Sequence, residues 1–277
     1  MLKIGRFNTL SVMRTLLSGA LLDGGRLGDV KLDNQHAGEH FREGDQVDAF
    51  VYLDGAGVLA ATTLQPLAEV GQVAWLKVIE VNELGAFADW GLPKDLFIPF
   101  GEQQHQLHAG KRVLVRVYLD NQNRIAGSTR IDRWVTDEAS GLKVGERVSL
   151  IIADKTELGY KAVINHRTWG LLYANELFRS VRKGQTMDGF VKGIRKDKKV
   201  DLTLDKPGFS QSKIDAVAES ILGKLREHEG RLLLTDKSPP EAIYAVFGVS
   251  KKVFKQALGL LYKQRRVSLD VQGISLI

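Results

Sequence analysis

The sequence contains no cysteine and only six prolines among its 277 residues. Without cysteine, neither disulfide bonds nor thiolate metal ligands are available, so packed cores must stabilise the fold. Long apolar runs are also missing. The uncharged N-terminal stretch 15–22 is short and flanked by charge, which favours neither a signal peptide nor a membrane span. We therefore expect a cytoplasmic protein that does not enter membranes.

Positive charge is scarce in the first two thirds of the chain and abundant in the last. Residues 1–180 carry 20 Lys and Arg against 22 Asp and Glu, whereas residues 181–277 carry 19 against 11. The overall charge of +6 therefore comes from the C-terminal third. This asymmetry is typical of a polyanion-binding region, although a basic domain that is merely well solvated remains the alternative.

The sequence repeats at a fixed offset of 66 residues. The motif VYLD occurs at 51–54 and again at 117–120. Further identities share the offset, among them Gly5 with Gly71, Gly19 with Gly85 and Gly44 with Gly110. A gapless offset with glycines at turn positions indicates two copies of one unit, 1–66 and 67–132.

A third copy follows at an offset of about 74 residues, after a linker at 133–145. ELGAFA at 83–88 resembles ELGYKA at 157–162. Short alternating runs such as 113–119 predict about five strands in each copy. Five short strands in so few residues favour a small closed barrel of the OB type, with the third barrel at 141–206.

The second copy resembles the S-one RNA-binding domain. The resemblance rests on an opening Gly-x-Val, a Gly-Ala-Phe turn, and a strand ending in Asp with Arg four residues later. It implies that Phe87, Asp120 and Arg124 face single-stranded RNA, while Leu84 and Ile98 replace an aromatic residue and a histidine. Phe87 as a core aromatic and Arg124 as a solvated charge stay open as alternatives.

The other two copies depart from this pattern in different ways. In the first copy only Asp54 remains, which favours a structural or protein-contact role. In the third copy, Tyr173 takes the position of the histidine, and either Tyr160 or Lys161 takes that of the aromatic residue.

The third copy also combines aromatic rings with dense positive charge. Trp169 lies in the same unit, and basic residues crowd one predicted strand pair: Lys192, Arg195, Lys196, Lys198 and Lys199. A basic groove with stacking rings is what single-stranded nucleic acid requires. A charged hairpin tip is the alternative. This copy is the predicted main RNA-binding site.

The last 66 residues, 212–277, change from a period of two to a helical period. Apolar residues mark one face of a helix that Gly230 can end, and a short strand follows. Ser238 as N-cap and Pro239 at the first position predict a second helix to about Phe247. A turn then leads to a third helix and a hairpin. This order predicts a winged helix with a helix-turn-helix inside it.

The third helix of this domain has one apolar and one basic side. Its candidate contacts to nucleic acid are Lys251, Lys252, Lys255, Tyr262, Lys263, Arg265 and Arg266. Such a helix can read the DNA major groove, but RNA contact and protein docking also remain open.

Three barrels followed by a winged helix resemble the bacterial conserved virulence factor B family over essentially the whole chain. The fold class is therefore expected to be mostly β, with a C-terminal α+β domain. The resemblance implies an RNA-binding regulator of gene expression without established enzymatic activity.

Nothing in the sequence indicates an active site or a cofactor. It has no P-loop motif, and four small domains leave no room for a catalytic domain. The pairs His36/His40 and His105/His108 have metal-compatible spacing, but no carboxylate pattern accompanies them, so we predict no metal site.

The leading hypothesis is a non-enzymatic protein that binds single-stranded RNA through the third barrel and the winged helix. A DNA-binding transcription regulator and an adaptor that docks on the ribosome or on RNA polymerase are the alternatives. No membrane or small-molecule substrate is expected.

Overall fold

The computed structural model describes residues 2–33, 41–177, 180–205 and 210–277. The chain divides into two compact units, Met1–Thr136 and Asp137–Ile277. In the parts of the chain that are described, no helix is long and apolar enough to cross a membrane.

The first barrel has five strands in the order β1-β2-β3-β5-β4, closed by a parallel β3–β5 pair. Its interior is formed by alternate apolar side chains, including Val12, Leu22, Leu32 and Val51. The strands are β1 (Arg6–Leu16), β2 (Gly19–Asp23), β3 (Asp29–Asp33), β4 (Gln46–Leu53) and β5 (Leu59–Thr62).

The second barrel repeats this arrangement but is only nearly closed. Its sheet order is β10-β9-β6-β7-β8, without a ladder between β8 and β10, in a stretch that is described throughout. The two strands still pack closely, since a Cβ at Gly127 would lie 2.9 Å from Ile98 Cγ1. The predicted closed barrel is therefore correct in strand number, but its last ladder is missing. The strands are β6 (Val73–Val81), β7 (Gly85–Asp89), β8 (Leu96–Pro99), β9 (Arg112–Leu119) and β10 (Ile125–Ser128).

One apolar cluster joins the first two barrels. Phe50 points out of the first barrel, is fully buried, and belongs to the same core cluster as Trp90 of the second barrel. Its ring lies 5.9 Å from that of Phe7 and 5.8 Å from that of Trp90, both edge-on. The outer face of β1 and β4 therefore serves as the packing surface for the second barrel.

The third barrel is closed in the order β11-β12-β13-β15-β14, with a parallel β13–β15 pair. A register shift between Val191 and Gly193 places a bulge at Lys192 in β14. The strands are β11 (Arg147–Lys155), β12 (Gly159–Ile164), β13 (Thr168–Tyr173), β14 (Thr186–Ile194) and β15 (Val200–Thr203).

The C-terminal domain has the predicted winged-helix order. The apolar side of the third helix is buried as predicted, with Phe254, Ala257, Leu258 and Leu261 in the core. The elements are α1 (Ser210–Glu227), β16 (Arg231–Leu232), α2 (Pro240–Phe247), α3 (Lys251–Lys263), β17 (Val267–Leu269) and β18 (Ile274–Leu276), and the sheet order is β16-β18-β17.

Two helix ends in this domain have the cap residues that are typical of their positions. Gly248 ends α2 in the left-handed conformation, with φ 64°, and the Ser250 side chain accepts a hydrogen bond from the Val253 amide as N-cap of α3. The predicted Ser238 cap is wrong, because Pro239 is the N-cap of α2. The Ser238 hydroxyl instead accepts a hydrogen bond from the Thr235 amide.

The fold class expected from the sequence is confirmed: three five-stranded barrels are followed by a winged helix. The exact boundaries of the four folding units, 1–66, 67–132, 141–206 and 212–277, stay predictions.

Candidate nucleic-acid interface

The last hairpin of each barrel ends in the same type of turn. In each turn, the amide of the first residue donates a hydrogen bond to the carbonyl of the residue four positions later. This first residue is Asp54 in the first barrel, Asp120 in the second and Arg195 in the third. The residue three positions on has a positive φ: Gly57 at 79°, Asn123 at 59° and Lys198 at 64°. A left-handed residue at this point is typical of hairpin turns that keep the strand twist. This common geometry sets where each candidate side chain points.

In the second barrel, the turn ties the two predicted charged residues to each other. One Asp120 carboxylate oxygen accepts hydrogen bonds from the amides of Gln122 and Arg124, and the other accepts one from Arg124 Nε at 2.8 Å. Burial raises the Asp120 pKa, but the hydrogen bonds from Arg124 and Gln122 outweigh it, and the pKa lies below its ordinary value. Asp120 therefore shapes the turn, while the exposed Arg124 presents the charge.

In the third barrel, three strands bring a polar network together. Arg195 Nη2 donates to the Tyr173 hydroxyl at 2.8 Å and to Asp201 Oδ1 at 2.7 Å, and Arg195 Nε donates to the same carboxylate oxygen at 2.9 Å. The Tyr173 hydroxyl in turn donates to Asp201 Oδ1 at 3.2 Å. The hydrogen bond from Arg195 to Asp201 raises the Arg195 pKa further. The guanidinium and the phenol ring are thus held in a fixed relation on the barrel surface.

The bulge at Lys192 adds a second cation to this network. Lys192 Nζ lies 5.5 Å from the centroid of the Tyr173 ring and also pairs with Glu176. Bulges commonly redirect a side chain in this way. Tyr173 is therefore flanked by Lys192 and Arg195.

The strand register decides which residue of the third barrel corresponds to Phe87. Lys161 pairs with Leu171 just as Phe87 pairs with Phe97, so Lys161 takes the aromatic position. Lys161 Nζ lies 3.8 Å from the ring centroid of Trp169, which is only 8% exposed. The structure thus brings together the predicted Lys161 and Trp169, with the cation covering the ring.

Tyr160 lies on the opposite side of the strand from Lys161. Its side chain packs against the barrel core, in the same alternation as Ala162 and Ile164. Of the two residues left open for the aromatic position, Tyr160 therefore does not occupy it, because neighbouring residues of a strand point to opposite faces.

The basic residues of the turn are exposed. Lys198 Nζ pairs with Glu138 at 3.2 Å, and both side chains are two-thirds exposed. Lys196 and Lys199 are also exposed, and within the described residues the structure shows no ion pair for either ammonium group. These two cations are available to an anionic ligand.

The second barrel carries a pair of aromatic rings on its outer face. Phe87 is half-buried, and its ring centroid lies 5.2 Å from that of Phe97. Because Ala86 and Ala88 face the core, Phe87 is not the core aromatic considered as an alternative. Phe97 was missed by the sequence reasoning, although its place in the alternating run LFIP was a signal.

The register also corrects the position expected to carry a histidine. Tyr173 pairs with Gly159, and its counterpart in the second barrel, Pro99, pairs with Gly85. Ile98, which the sequence comparison placed there, is fully buried and points into the barrel. The sequence prediction therefore placed the position of the histidine in the second barrel one residue too early, at Ile98 and not at Pro99.

In the winged helix, only some of the predicted contacts remain available. Lys251 donates to the Ser238 carbonyl at 2.9 Å, Arg266 pairs with Glu219 at 2.9 Å, and Lys255 pairs with Asp236 at 3.3 Å. The predicted residues that are exposed and engaged in no ion pair within the described part of the chain are Lys252, Tyr262, Lys263 and Arg265.

No group of three His, Asp or Glu side chains is placed to hold a metal among the residues that the structure describes. His105 and His108 are exposed. His36 and His40 lie outside the described residues.

Family comparisons agree with this architecture. Residues 4–64 and 70–130 match the S1 domain, and residues 219–276 match the CvfB-like winged helix domain. Conserved virulence factor B of Staphylococcus epidermidis is 28% identical to the chain, covering 99% of it and 94% of the relative. The protein of the same name from Staphylococcus haemolyticus is 26% identical over the same shares.

The chain is a homologue of conserved virulence factor B. A crystal structure of a multidomain protein with nucleic acid binding domains from Streptococcus pneumoniae is 27% identical, covers 99% of this chain and 98% of its own, and superposes with a TM-score of 0.42. The domain types of this conserved virulence factor B homologue, OB-type barrels and a winged helix, are ones that bind nucleic acids.

The start of the predicted linker was misjudged. Residues 133–145 were expected to connect the second and third barrels, yet Trp134 stacks on Tyr118 with ring centroids 5.4 Å apart. Ile131 and Val135 on either side are buried. A tryptophan next to a valine within a polar stretch was the signal for this docked segment.

The tyrosines of the two VYLD motifs, at 51–54 and 117–120, pack against neighbouring segments. Tyr52 packs against the core of the second barrel, and Tyr118 packs against Trp134.

Proposed function

We propose that this chain is a non-enzymatic RNA-binding protein that holds single-stranded RNA mainly through its third barrel and winged helix. Its role would be regulation of gene expression after transcription, in the cytoplasm. The observation that carries the proposal is the Tyr173 ring between Lys192 and Arg195 on the outer face of the third barrel.

This arrangement suits a single strand for physical reasons. A half-exposed ring on a barrel face can stack an unpaired base, and stacking of this kind contributes roughly 1–3 kcal/mol per base. Cations beside the ring can contact the flanking phosphates; Arg195 Nε and Nη2 are engaged with Asp201 and Tyr173, and Nη1 is the donor that remains for such a contact. The network with Asp201 preorganises Arg195, so that little side-chain entropy is lost on binding.

The second unit supplies the wider electrostatic attraction. Residues 137–180 contain six Lys and Arg and six Asp and Glu, so the excess of eight positive charges lies at 181–277. Lys196 and Lys199 project from the same turn as Arg195. A strand bound at Tyr173 would therefore lie in the most positive part of the chain.

Single substitutions in the full-length chain test the site. With a labelled oligouridylate of about 20 nucleotides, Tyr173→Ala is expected to weaken binding roughly ten-fold. Tyr173→Phe keeps the ring and should retain most of the affinity. Arg195→Lys keeps a charge but loses the fork, so we expect an intermediate loss.

Charge removal tests the electrostatic part. The double variant Lys196→Ala, Lys199→Ala should flatten the dependence of log affinity on log salt by about 1.4, or about 0.7 for each lost phosphate contact. The matched control is Lys143→Ala, Lys155→Ala, which removes two exposed charges from the same unit. If both doubles behave like the unsubstituted chain, the third barrel is not the RNA site.

The exposed side of α3 favours a second candidate function, binding of duplex DNA. Lys252, Tyr262 and Lys263 lie on the helix that enters the major groove in winged-helix DNA readers. Affinities for duplex DNA and for single-stranded RNA, each measured across a salt series, separate the two functions. Tighter, sequence-dependent binding of duplex DNA that Lys252→Ala and Lys263→Ala abolish would contradict the RNA proposal. Docking on the ribosome gains support if neither nucleic acid binds below about micromolar.

A further inference from the structure

The outer face of β9 presents an aromatic ring that the barrel holds in place. Trp134 is 38% exposed, whereas Trp90 and Trp169 are almost completely buried. One side of its indole lies on Tyr118, and the guanidinium carbon of Arg116 is 5.6 Å from its ring centroid. Buried Ile131 and Val135 fix the backbone on both sides. The remaining surface of the ring is therefore oriented and open to a ligand.

Two guanidinium groups converge at the seam between the first and second barrels, and that of Arg116 is the one that lies beside Trp134. The Nη2 atoms of Arg6 and Arg116 lie 2.9 and 3.7 Å from the position that a Cβ of Gly71 would take. Arg6 is exposed and forms no ion pair among the described residues. A phosphate binds guanidinium groups through their N–H donors, and the exposed Arg6 group offers such donors next to that of Arg116.

The glycine at this point keeps the space open. Gly71 has a φ of 91°, and a side chain there would meet the two guanidinium groups. The equivalent Gly5 of the first barrel faces Val70, whose Cγ2 would be 2.1 Å from such a Cβ. The turn at Gly71 in the second barrel therefore faces two guanidinium groups, whereas the equivalent turn at Gly5 in the first barrel faces an apolar side chain.

We propose that Arg6, Arg116 and Trp134, together called the seam site, form a second contact for single-stranded nucleic acid. A phosphate binds to the two guanidinium groups, and the neighbouring base stacks on Trp134. The seam site lies on the outer face of β9 and not on the β7–β8 face that carries Phe87 and Phe97. A duplex does not fit this description, since its bases are not free to stack on a side chain. The inference rests on the proposed RNA binding and adds a site to it.

The seam site is tested with the full-length chain and the labelled oligouridylate of about 20 nucleotides. Trp134→Ala is expected to weaken binding about five- to ten-fold, whereas Trp134→Phe retains most of the affinity because a stacking ring remains. Arg6→Ala is expected to reduce the salt slope by about 0.7. Arg14→Ala, which removes another exposed charge from the first barrel, is the control and should leave the slope unchanged.

Tryptophan fluorescence is a second readout, and it does not require the Trp134→Ala variant to fold. Stacking of a base on the exposed indole quenches its fluorescence, so the oligouridylate should quench the unsubstituted chain more strongly than Trp134→Phe. Arg6→Ala changes only an exposed side chain, and circular dichroism of each variant verifies that it is folded.

The outcomes separate this inference from the proposed function. If Trp134→Ala and Arg6→Ala bind like the unsubstituted chain while Tyr173→Ala binds weakly, the seam site is overturned and the third-barrel proposal stands. If the unsubstituted chain binds no single-stranded RNA, both are overturned. Loss of binding on Trp134→Ala and Arg6→Ala, with retention on Trp134→Phe, supports the seam site.

Discussion

At the scale of single residues, Lys198 adopts a backbone conformation that usually belongs to glycine or asparagine. Its φ of 64° matches Gly57 and Asn123 in the other two barrels. The left-handed region costs an ordinary residue roughly 1–2 kcal/mol, and asparagine less. A lysine there therefore adds positive charge to this turn at a cost in backbone energy.

The first prediction concerns this strain. Lys198→Asn is expected to raise the free energy of unfolding of the second unit by roughly 0.5–1 kcal/mol, since the exposed ion pair with Glu138 contributes little. Lys196→Asn removes the same charge at a position without a positive φ and should leave stability unchanged. Urea unfolding measures both, and equal effects of the two substitutions would show that the backbone is not strained.

The second prediction concerns the Asp120 carboxylate. Its pKa is lowered in the folded state, so its contribution to stability is present above the unfolded pKa of about 3.9 and is lost as the pH falls through the folded value. Asp120→Asn keeps an oxygen for the two amide donors but loses the ion pair with Arg124. We expect Asp120→Asn to destabilise the chain at pH 7 and the difference to shrink below about pH 4. A constant difference across this range, measured by urea unfolding, would contradict the assignment.

At the scale of elements, the sequence predicted strands and helices better than it predicted registers. A fixed 66-residue offset and a period of two are enough to locate the barrel strands. The offset and the period do not show whether Ile98 or Pro99 occupies the outward-facing position. A shift of the strand pairing by one residue moves a side chain to the other face of the sheet but leaves the positions of the strands in the sequence unchanged. The bulge at Lys192 likewise depends on pairing with β15, which lies outside its own strand.

Long-range packing explains the other differences from the sequence prediction. Trp134 was placed in a linker because the stretch 133–145 contains Gly and Ser, whereas its partner Tyr118 lies 16 residues earlier on β9. Phe50 reads as an ordinary strand residue, although it is buried by a different barrel. Among the binding candidates, Lys192 and Arg195 were predicted from the local density of positive charge and Tyr173 from the family resemblance. Phe97 was missed, because its signal is its position on a strand face.

The third prediction concerns α3, where Gly259 interrupts a helix. Apart from the chain neighbours and the backbone of its own helix, no atom lies within 4 Å of the position that a Cβ at Gly259 would take. Gly259→Ala is therefore expected to stabilise the winged helix by about 1 kcal/mol. Gly223→Ala in α1 meets equally open space and serves as a comparison. If thermal unfolding shows a gain at Gly223 only, α3 requires glycine for a reason other than space.

At the scale of the whole molecule, charge is distributed unequally between the two units. Residues 1–136 carry 14 Lys and Arg against 16 Asp and Glu, whereas the eight excess positive charges lie in the second unit. Long-range attraction of a polyanion is thus a property of the second unit. The first unit has instead a shared apolar core, with Phe50 as the residue that belongs to both barrels.

The last prediction follows from this shared core. Phe50 is fully buried between Phe7 and Trp90, so Phe50→Ala should lower the free energy of unfolding of the first unit by about 3–5 kcal/mol. Because the lost contacts belong to both barrels, amide protection in β1–β5 and β6–β10 should fall together in hydrogen-exchange experiments. Leu17→Ala, at a fully exposed apolar residue, should change neither. Loss of protection in the first barrel alone would show that the two barrels unfold independently, and the outer face of β1 and β4 would then be a contact surface without a stabilising role.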